Sequence, residues 1–268
     1  MHLFPVLEER LMELLHSLTP AEWNKPIIAK LWTVKDVAAH LLDGNIRLLS
    51  AERDKHTADP PGNIFSNEDL VAYLNGINAD WVRAMKRMSP QVLTQLMEIT
   101  GKQYNAQMAL KDPFGPATYA VSWAGETSSV NWFHIAREYT ERWHHQQQIR
   151  DAVNKPGIMT KELYYPVLDA FMMALPYTYR DIKAKKGTVI KVSVTGEAGG
   201  IWFITQNDNW VLSKENDEPP AAHTIISGDI AWKLFTKSWR KQDVMAHVSL
   251  EGDATLGIPA LDMISVMA

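Results

Sequence analysis

The chain has 268 residues, 46% hydrophobic and 22% charged, with a formal net charge of −4, a composition able to bury a core and without a basic stripe for a nucleic-acid backbone. It contains no cysteine, which excludes disulfides, thiolate ligands and a cysteine nucleophile, so any thiol chemistry must use an external thiol. No uncharged apolar run reaches the roughly 18 to 20 residues that span a bilayer, and Glu8, Glu9 and Arg10 interrupt what would be a signal-peptide core. A cytoplasmic protein with no nucleic-acid or membrane partner is expected.

Leu3, Leu7, Leu11, Leu14, Leu15 and Leu18 recur at three- and four-residue steps and predict an amphipathic helix ending before Thr19-Pro20. Thr33 is an N-cap with Asp36 three residues on, so a second helix should run to about Arg53, with Val34, Val37, Ala38, Leu41 and Leu42 apolar. Asp59-Pro60-Pro61-Gly62-Asn63 breaks the pattern. A third helix, opened by Ser66 or Asn67, carries Leu70, Leu74, Ile77, Trp81 and Met85 on one face and stops at Ser89-Pro90. From about Gly101 to Ser129, weak periodicity with Pro113, Gly115, Pro116 and Gly125 reads as a long connection. A fourth helix follows from about Ser129 to Val153. Four such helices with one long connection fit a four-helix bundle.

After Asn154-Lys155-Pro156-Gly157 the character changes, which sets expected domains at 1–156 and 157–268. A helix from Thr160 to about Arg180 precedes β-branched and aromatic runs at Thr188–Thr195, Ile201–Thr205 and Trp210–Leu212, separated by hairpin signals. A strand at Ala222–Ile226, a helix from Asp229 to Trp239, a strand near Ala246–Leu250 and a terminal helix after Gly252-Asp253 complete a small α+β domain.

Glu141 and His145 are four residues apart, so a helix places both on one face and lets them converge on one metal ion. His40, inside the apolar pattern of the second helix, is the best candidate for a third ligand. Two histidines and one carboxylate leave a coordination position open, which is catalytic geometry. The same set also suits non-haem iron. His144 points roughly 100° away from His145 and is not taken as a ligand, its three-residue spacing from Glu141 keeping it as the alternative. His134 and Glu138 extend the stripe of Glu141 and His145; either one supplies a hydrogen bond to a ligand residue or an acid–base group, or the far end of the stripe opens to solvent. Trp32, Trp123 and Trp143 lie near ligand positions in sequence, where core packing explains each equally well.

The segments Trp32-Thr33-Val34-Lys35-Asp36-Val37-Ala38-Ala39-His40-Leu41 and Glu141-Arg142-Trp143-His144-His145-Gln146-Gln147-Gln148-Ile149, with the weaker Leu250-Glu251-Gly252-Asp253-Ala254, resemble the DinB/YfiT-like metal-bundle superfamily, and within it the mycothiol-dependent maleylpyruvate isomerase branch. The resemblance implies an α plus α+β fold: a DinB-like four-helix bundle followed by a small C-terminal α/β domain of sterol-carrier-protein-like type. It implies His40, Glu141 and His145 as ligands of a divalent metal, usually zinc, and a catalytic arginine from the C-terminal domain, matched approximately by Arg240 in Lys237-Ser238-Trp239-Arg240. Gln146-Gln147-Gln148 stands where DinB-type members often have Arg-Gly-Gln. The implied activity is isomerisation or S-transfer on a small electrophilic carboxylate, with a low-molecular-weight thiol of mycothiol or bacillithiol type, by a monomer or homodimer. The alternatives are a metal-assisted hydrolase and a non-catalytic binder of an apolar small molecule through the C-terminal domain.

Overall fold

The computed structural model describes residues 1–29, 31–56 and 62–266. They gather into two compact units, one formed by Met1–Pro113 and Arg142–Ile158, the other by Phe114–Glu141 and the chain from Met159 on.

The first unit contains α1 (Leu3–His16), α2 (Val34–Leu48), α3 (Asn67–Met85), α4 (Pro90–Ala109) and the second half of α5 (Asn131–Val153). The expected caps form. Thr33 accepts from the Asp36 N–H while the Asp36 carboxylate accepts from the Thr33 N–H, and Ser66, not Asn67, makes the same reciprocal box with Asp69. Past Leu48 the chain continues through a π-helical turn at Leu49–Arg53, which accounts for the expected extension of the second helix to Arg53. The pattern break at Asp59–Pro61 lies outside the described residues.

The region after Ser89 differs from expectation. Ser89-Pro90 does not merely end one helix; it opens α4, with Ser89 accepting from the Val92 N–H and Pro90 at the first position, where a missing N–H costs nothing. Nor does Gly101 begin a connection. It lies inside α4, where a Cβ would stand 2.1 Å from Glu8 Oε1, so glycine is what admits that carboxylate. The long connection is therefore shorter, Leu110–Val130. The bundle core comes from Leu11, Leu14 and Leu15 of α1, Val37, Ala38, Leu41 and Leu42 of α2, Leu93 and Met97 of α4, and Ile149 and Val153 of α5. Helix α3 packs partly buried Trp81 and Met85 against this core and buries Val82, and Trp81 Nε1 donates to the Ala39 carbonyl at 2.7 Å. The four core helices are thus α1, α2, α4 and α5, with α3 flanking α2.

In the second unit, α6 (Lys161–Met172) is capped by Thr160, and the expected single helix to Arg180 is broken. Pro176 has no N–H to give to the Met172 carbonyl, so the chain resumes as the one-turn α7 (Leu175–Thr178). A five-stranded sheet follows in the order β3-β2-β1-β4-β5, from β1 (Val189–Val194), β2 (Gly200–Gln206), β3 (Trp210–Ser213), β4 (Ala222–Ile226) and β5 (Val248–Gly252). Only the β1–β4 pair is parallel among them. Ile190, Val192, Val194, Trp202 and Ile204 turn one face of this sheet inward, as period-two alternation requires. Between β4 and β5 lie α8 (Gly228–Phe235) and α9 (Lys241–Val244), and α10 (Ala254–Gly257) follows β5. The architecture is α plus α+β. No helix among the described residues is long and apolar enough to cross a membrane.

If α4 is a core helix, Leu93→Ala should lower the free energy of unfolding by about 2–5 kcal/mol, the range for emptying a buried leucine site. Ile99→Ala, at a position 58% exposed on the same helix, should stay within about 0.5 kcal/mol in the same urea titration.

Candidate metal centre

Helix α5 has a polar face. At roughly 100° per residue, His134, Arg137, Glu138, Glu141, His144, His145 and Gln148 share a sector of about 120°, and each is buried or half-buried. Polar groups held there need partners, water or an ion. Among the described residues, Glu141, His144 and His145 form a group able to hold a metal, each offering a ligand atom within 4.8 Å of the others. His144, which the helical wheel sets apart from His145, is brought to the group by its three-residue step from Glu141, and the His144 and His145 rings stack at 4.9 Å.

His40 comes to the same place from α2. Its ring meets that of His145 edge-on at 4.7 Å, and the Trp32 ring is 5.1 Å away. His40 Nδ1 is buried and has no hydrogen-bond partner among the described residues. Burial pushes the His40 imidazole well below its ordinary range, with His145 and Arg47 adding to the effect; burial does the same for His144, with His145 and His40 adding. Both rings are neutral, the state in which imidazole is a ligand. Gln148 Oε1 lies 2.9 Å from His145 Nδ1, so that nitrogen donates and the lone pair falls on Nε2.

Next to Glu141 sits a residue that sequence patterning did not single out. Arg142 is buried, with Nη1 3.3 Å from Glu8 Oε2 of α1, Nη2 donating to Asn45 Oδ1 of α2, and its guanidinium 3.5 Å over the Tyr104 ring of α4. Asn45 is held in turn by donating to Thr100 Oγ1 at 3.0 Å. Burial pushes the Glu8 carboxyl up, against the pull of Arg142. Asp36 has a local role, closing the N-cap box and pairing with Lys86 at 2.6 Å. Trp143 is a core residue whose Nε1 donates to the Ile158 carbonyl at 3.0 Å.

Arg240 is not at a helix C-terminus. Helix α8 stops at Phe235, and Lys237 takes a left-handed conformation with φ 59°. Arg240 is the exposed N-cap of α9, its N–H donating to Asp243 at 2.9 Å. Farther up α5, His134 and Glu138 share a contact with Arg137, which sequence reading also passed over: Arg137 Nη2 is 2.8 Å from His134 Nδ1 and 3.0 Å from Glu138 Oε1.

The family profile of the mycothiol maleylpyruvate isomerase N-terminal domain matches residues 4–150. No curated protein matches the chain in sequence. Two crystal structures of the mycothiol-dependent maleylpyruvate isomerase, one of them a mutant, share the fold: each aligns with 94% of this chain and 92% of its own at 11% identity, with a TM-score of 0.54. A solution structure of the sterol carrier protein domain 2 of Helicoverpa armigera aligns with 40% of this chain and 87% of its own at 17% identity, with a TM-score of 0.27.

Arg142 and Glu8 give a stability prediction. Arg142→Ala leaves the Glu8 carboxyl buried without its cation and should destabilise the protein by about 3–5 kcal/mol, whereas Arg142→Met with Glu8→Leu should recover much of that loss. Chemical denaturation of the two variants decides it. A single-variant loss below about 0.5 kcal/mol would mean the pair behaves as a surface contact.

Proposed function

This chain belongs to the family of the mycothiol maleylpyruvate isomerase N-terminal domain, and from that membership we propose that it is an external-thiol-dependent isomerase or S-transferase acting on a small electrophilic carboxylate, with a divalent metal held by His40, Glu141 and His145. The observation that carries the reading is His40 Nδ1: a buried nitrogen lacking a partner among the described residues, on a ring 4.7 Å from that of His145. A buried polar atom in that state costs about 1–3 kcal/mol, and a cation would offset the cost.

The donor set fits. Two or three imidazoles and one carboxylate suit zinc and other borderline divalent ions, and a three-residue set leaves a position for a small molecule. A metal there supplies Lewis acidity that makes an external thiol nucleophilic at neutral pH, the requirement for reversible addition to an activated double bond. The remaining work falls to side chains. Burial keeps His40 and His144 neutral, so their lone pairs are not lost to protons. Gln148 fixes the tautomer of His145 and aims Nε2. With no cysteine in the chain, no internal thiol competes with the external one. Arg240, exposed on the second unit, is the proposed binder of a substrate carboxylate.

Metal analysis and turnover test the reading together. Protein purified without chelator or affinity tag should carry about one divalent ion per chain; His40→Ala and His145→Ala should lose most of it, and Glu141→Gln should lower metal affinity and turnover in parallel. His144→Ala separates the two ligand sets, since it should retain the ion if His40 completes the site. Turnover of a maleylpyruvate-like substrate is measured with mycothiol, bacillithiol, glutathione and coenzyme A in turn. Arg240→Ala should cut kcat/KM without changing metal content. Unchanged metal in the His40 and His145 variants, or turnover indifferent to every thiol, sinks the proposal.

A further inference from the structure

One face of the sheet in the second unit is partly open, and none of its side chains belongs to the candidate metal centre. Alternation along β1 and β4 buries Val192, Val194 and Thr224 and leaves Lys191, Ser193, His223 and Ile225 half-buried on the opposite face. Ile201, which pairs with Ser193, and Val211 on the same face are 46% and 49% exposed. Three side chains of this face meet in a fixed order. Ser193 Oγ lies 2.8 Å from His223 Nε2, and His223 Nδ1 lies 3.1 Å from Glu251 Oε2. They come from the adjacent strands β1, β4 and β5, with His223 directly opposite Glu251 in the register.

The carboxylate orders the protons. Ionised, it only accepts, so the hydrogen facing Glu251 belongs to His223 Nδ1, and in the neutral ring the lone pair falls on Nε2. Nε2 then accepts from the Ser193 hydroxyl. A nucleophile is thus joined to a base, and the base to an orienting group, which is the relation that activates a serine. Polar pairs that only brace a sheet require no space beside the hydroxyl, and here there is one. A cavity of about 270 Å³ is walled by Thr195, two residues beyond Ser193 on β1, by Ile225, its partner on β4, and by Ser249 across from Ile225. Sites for drug-sized ligands run from about 300 to 1,000 Å³, so this one suits a short acyl chain. Lys191, two residues before Ser193 and paired across the sheet with His223, puts a cation on the same face, where positive charge favours an oxyanion.

We propose that Ser193 and His223, with Glu251 positioning the imidazole, form a second catalytic site, a serine esterase centre for short-chain carboxylic esters. Ser193 Oγ attacks the carbonyl carbon as its proton passes to His223 Nε2; the bond to the alcohol oxygen then breaks, and that oxygen takes the proton. Water attacks the acyl-serine, gives a proton to His223 and releases the carboxylic acid, and the proton returns to Ser193 Oγ. These steps use neither the metal nor the thiol proposed for the first site.

The test treats full-length protein with a fluorophosphonate, which phosphonylates an activated serine with loss of fluoride. The labelled peptide is identified by mass spectrometry, and the melting temperature of every variant is measured. The label should fall on Ser193. His223→Gln should slow labelling by about a hundredfold or more, the low end of what a general base contributes. Ser213→Ala removes a hydroxyl of the same face that donates instead to the Glu215 carbonyl, and should change nothing. Glu251→Gln should lower kcat for p-nitrophenyl acetate with KM unchanged, and a chelator should alter neither labelling nor hydrolysis. A label absent from Ser193, labelling as fast in His223→Gln as in the wild type, hydrolysis abolished by the chelator, or losses confined to variants with a lowered melting temperature overturns the proposal.

Discussion

The rotation of α5 about its own axis decides where Glu141, His144 and His145 point, and Arg142 is what sets it. A guanidinium bound to a carboxylate on α1, an amide on α2 and an aromatic face on α4 cannot turn without leaving a buried charge unpaired. Because Glu141 precedes Arg142 by one residue and His145 follows by three, fixing one side chain fixes the others to within the rigidity of a helix. A buried ion pair is weak evidence for net stability, since desolvation consumes most of the attraction. Its value here is geometric. An apolar residue at 142 would hold α5 against the same neighbours but tolerate a range of rotations.

The same burial that makes Arg142 expensive makes the histidines useful. Desolvation favours the uncharged form of His40 and of His144, and the neighbouring rings reinforce this, so both stay neutral where an exposed histidine would titrate near neutrality. The Trp32 ring lies 5.1 Å from that of His40, so the imidazole has aromatic neighbours from both its own segment and α5.

Local chemistry was legible in the sequence; chemistry that depends on remote partners was not. Thr33 with Asp36 and Ser66 with Asp69 form their caps from residues within one turn of each other, and the strands are bounded by their own turn residues, so both could be read directly. Helix α4 escaped because Pro90 and Gly101 carry the marks of breakers. What makes Gly101 a helix residue is Glu8, 93 positions earlier in the chain. Arg142 escaped for a related reason: a charged residue between Glu141 and Trp143 looks the same in sequence whether it meets solvent or three other helices. Gln146, Gln147 and Gln148 are all buried although the run reads as polar, because the packing around α5 leaves it almost no outer side. For the site, spacing supplied Glu141 and His145 and the helical pattern supplied His40, while Arg137 depends on contacts to His134 and Glu138 that no periodicity specifies.

Helix α5 is also the element that both compact units share, with Glu141 in one and Arg142 in the other. A rise of about 1.5 Å per residue fixes the axial separation of His134, Arg137, Glu141 and His145 along that helix. The ordering cost is met once, by folding the helix, and each side chain then needs only its rotamer fixed by a neighbour. His145 has Gln148 for this, and Arg137 has His134 and Glu138. Such pre-organisation is what an addition reaction needs, because the nucleophile and the electrophile must meet at one carbon in one orientation.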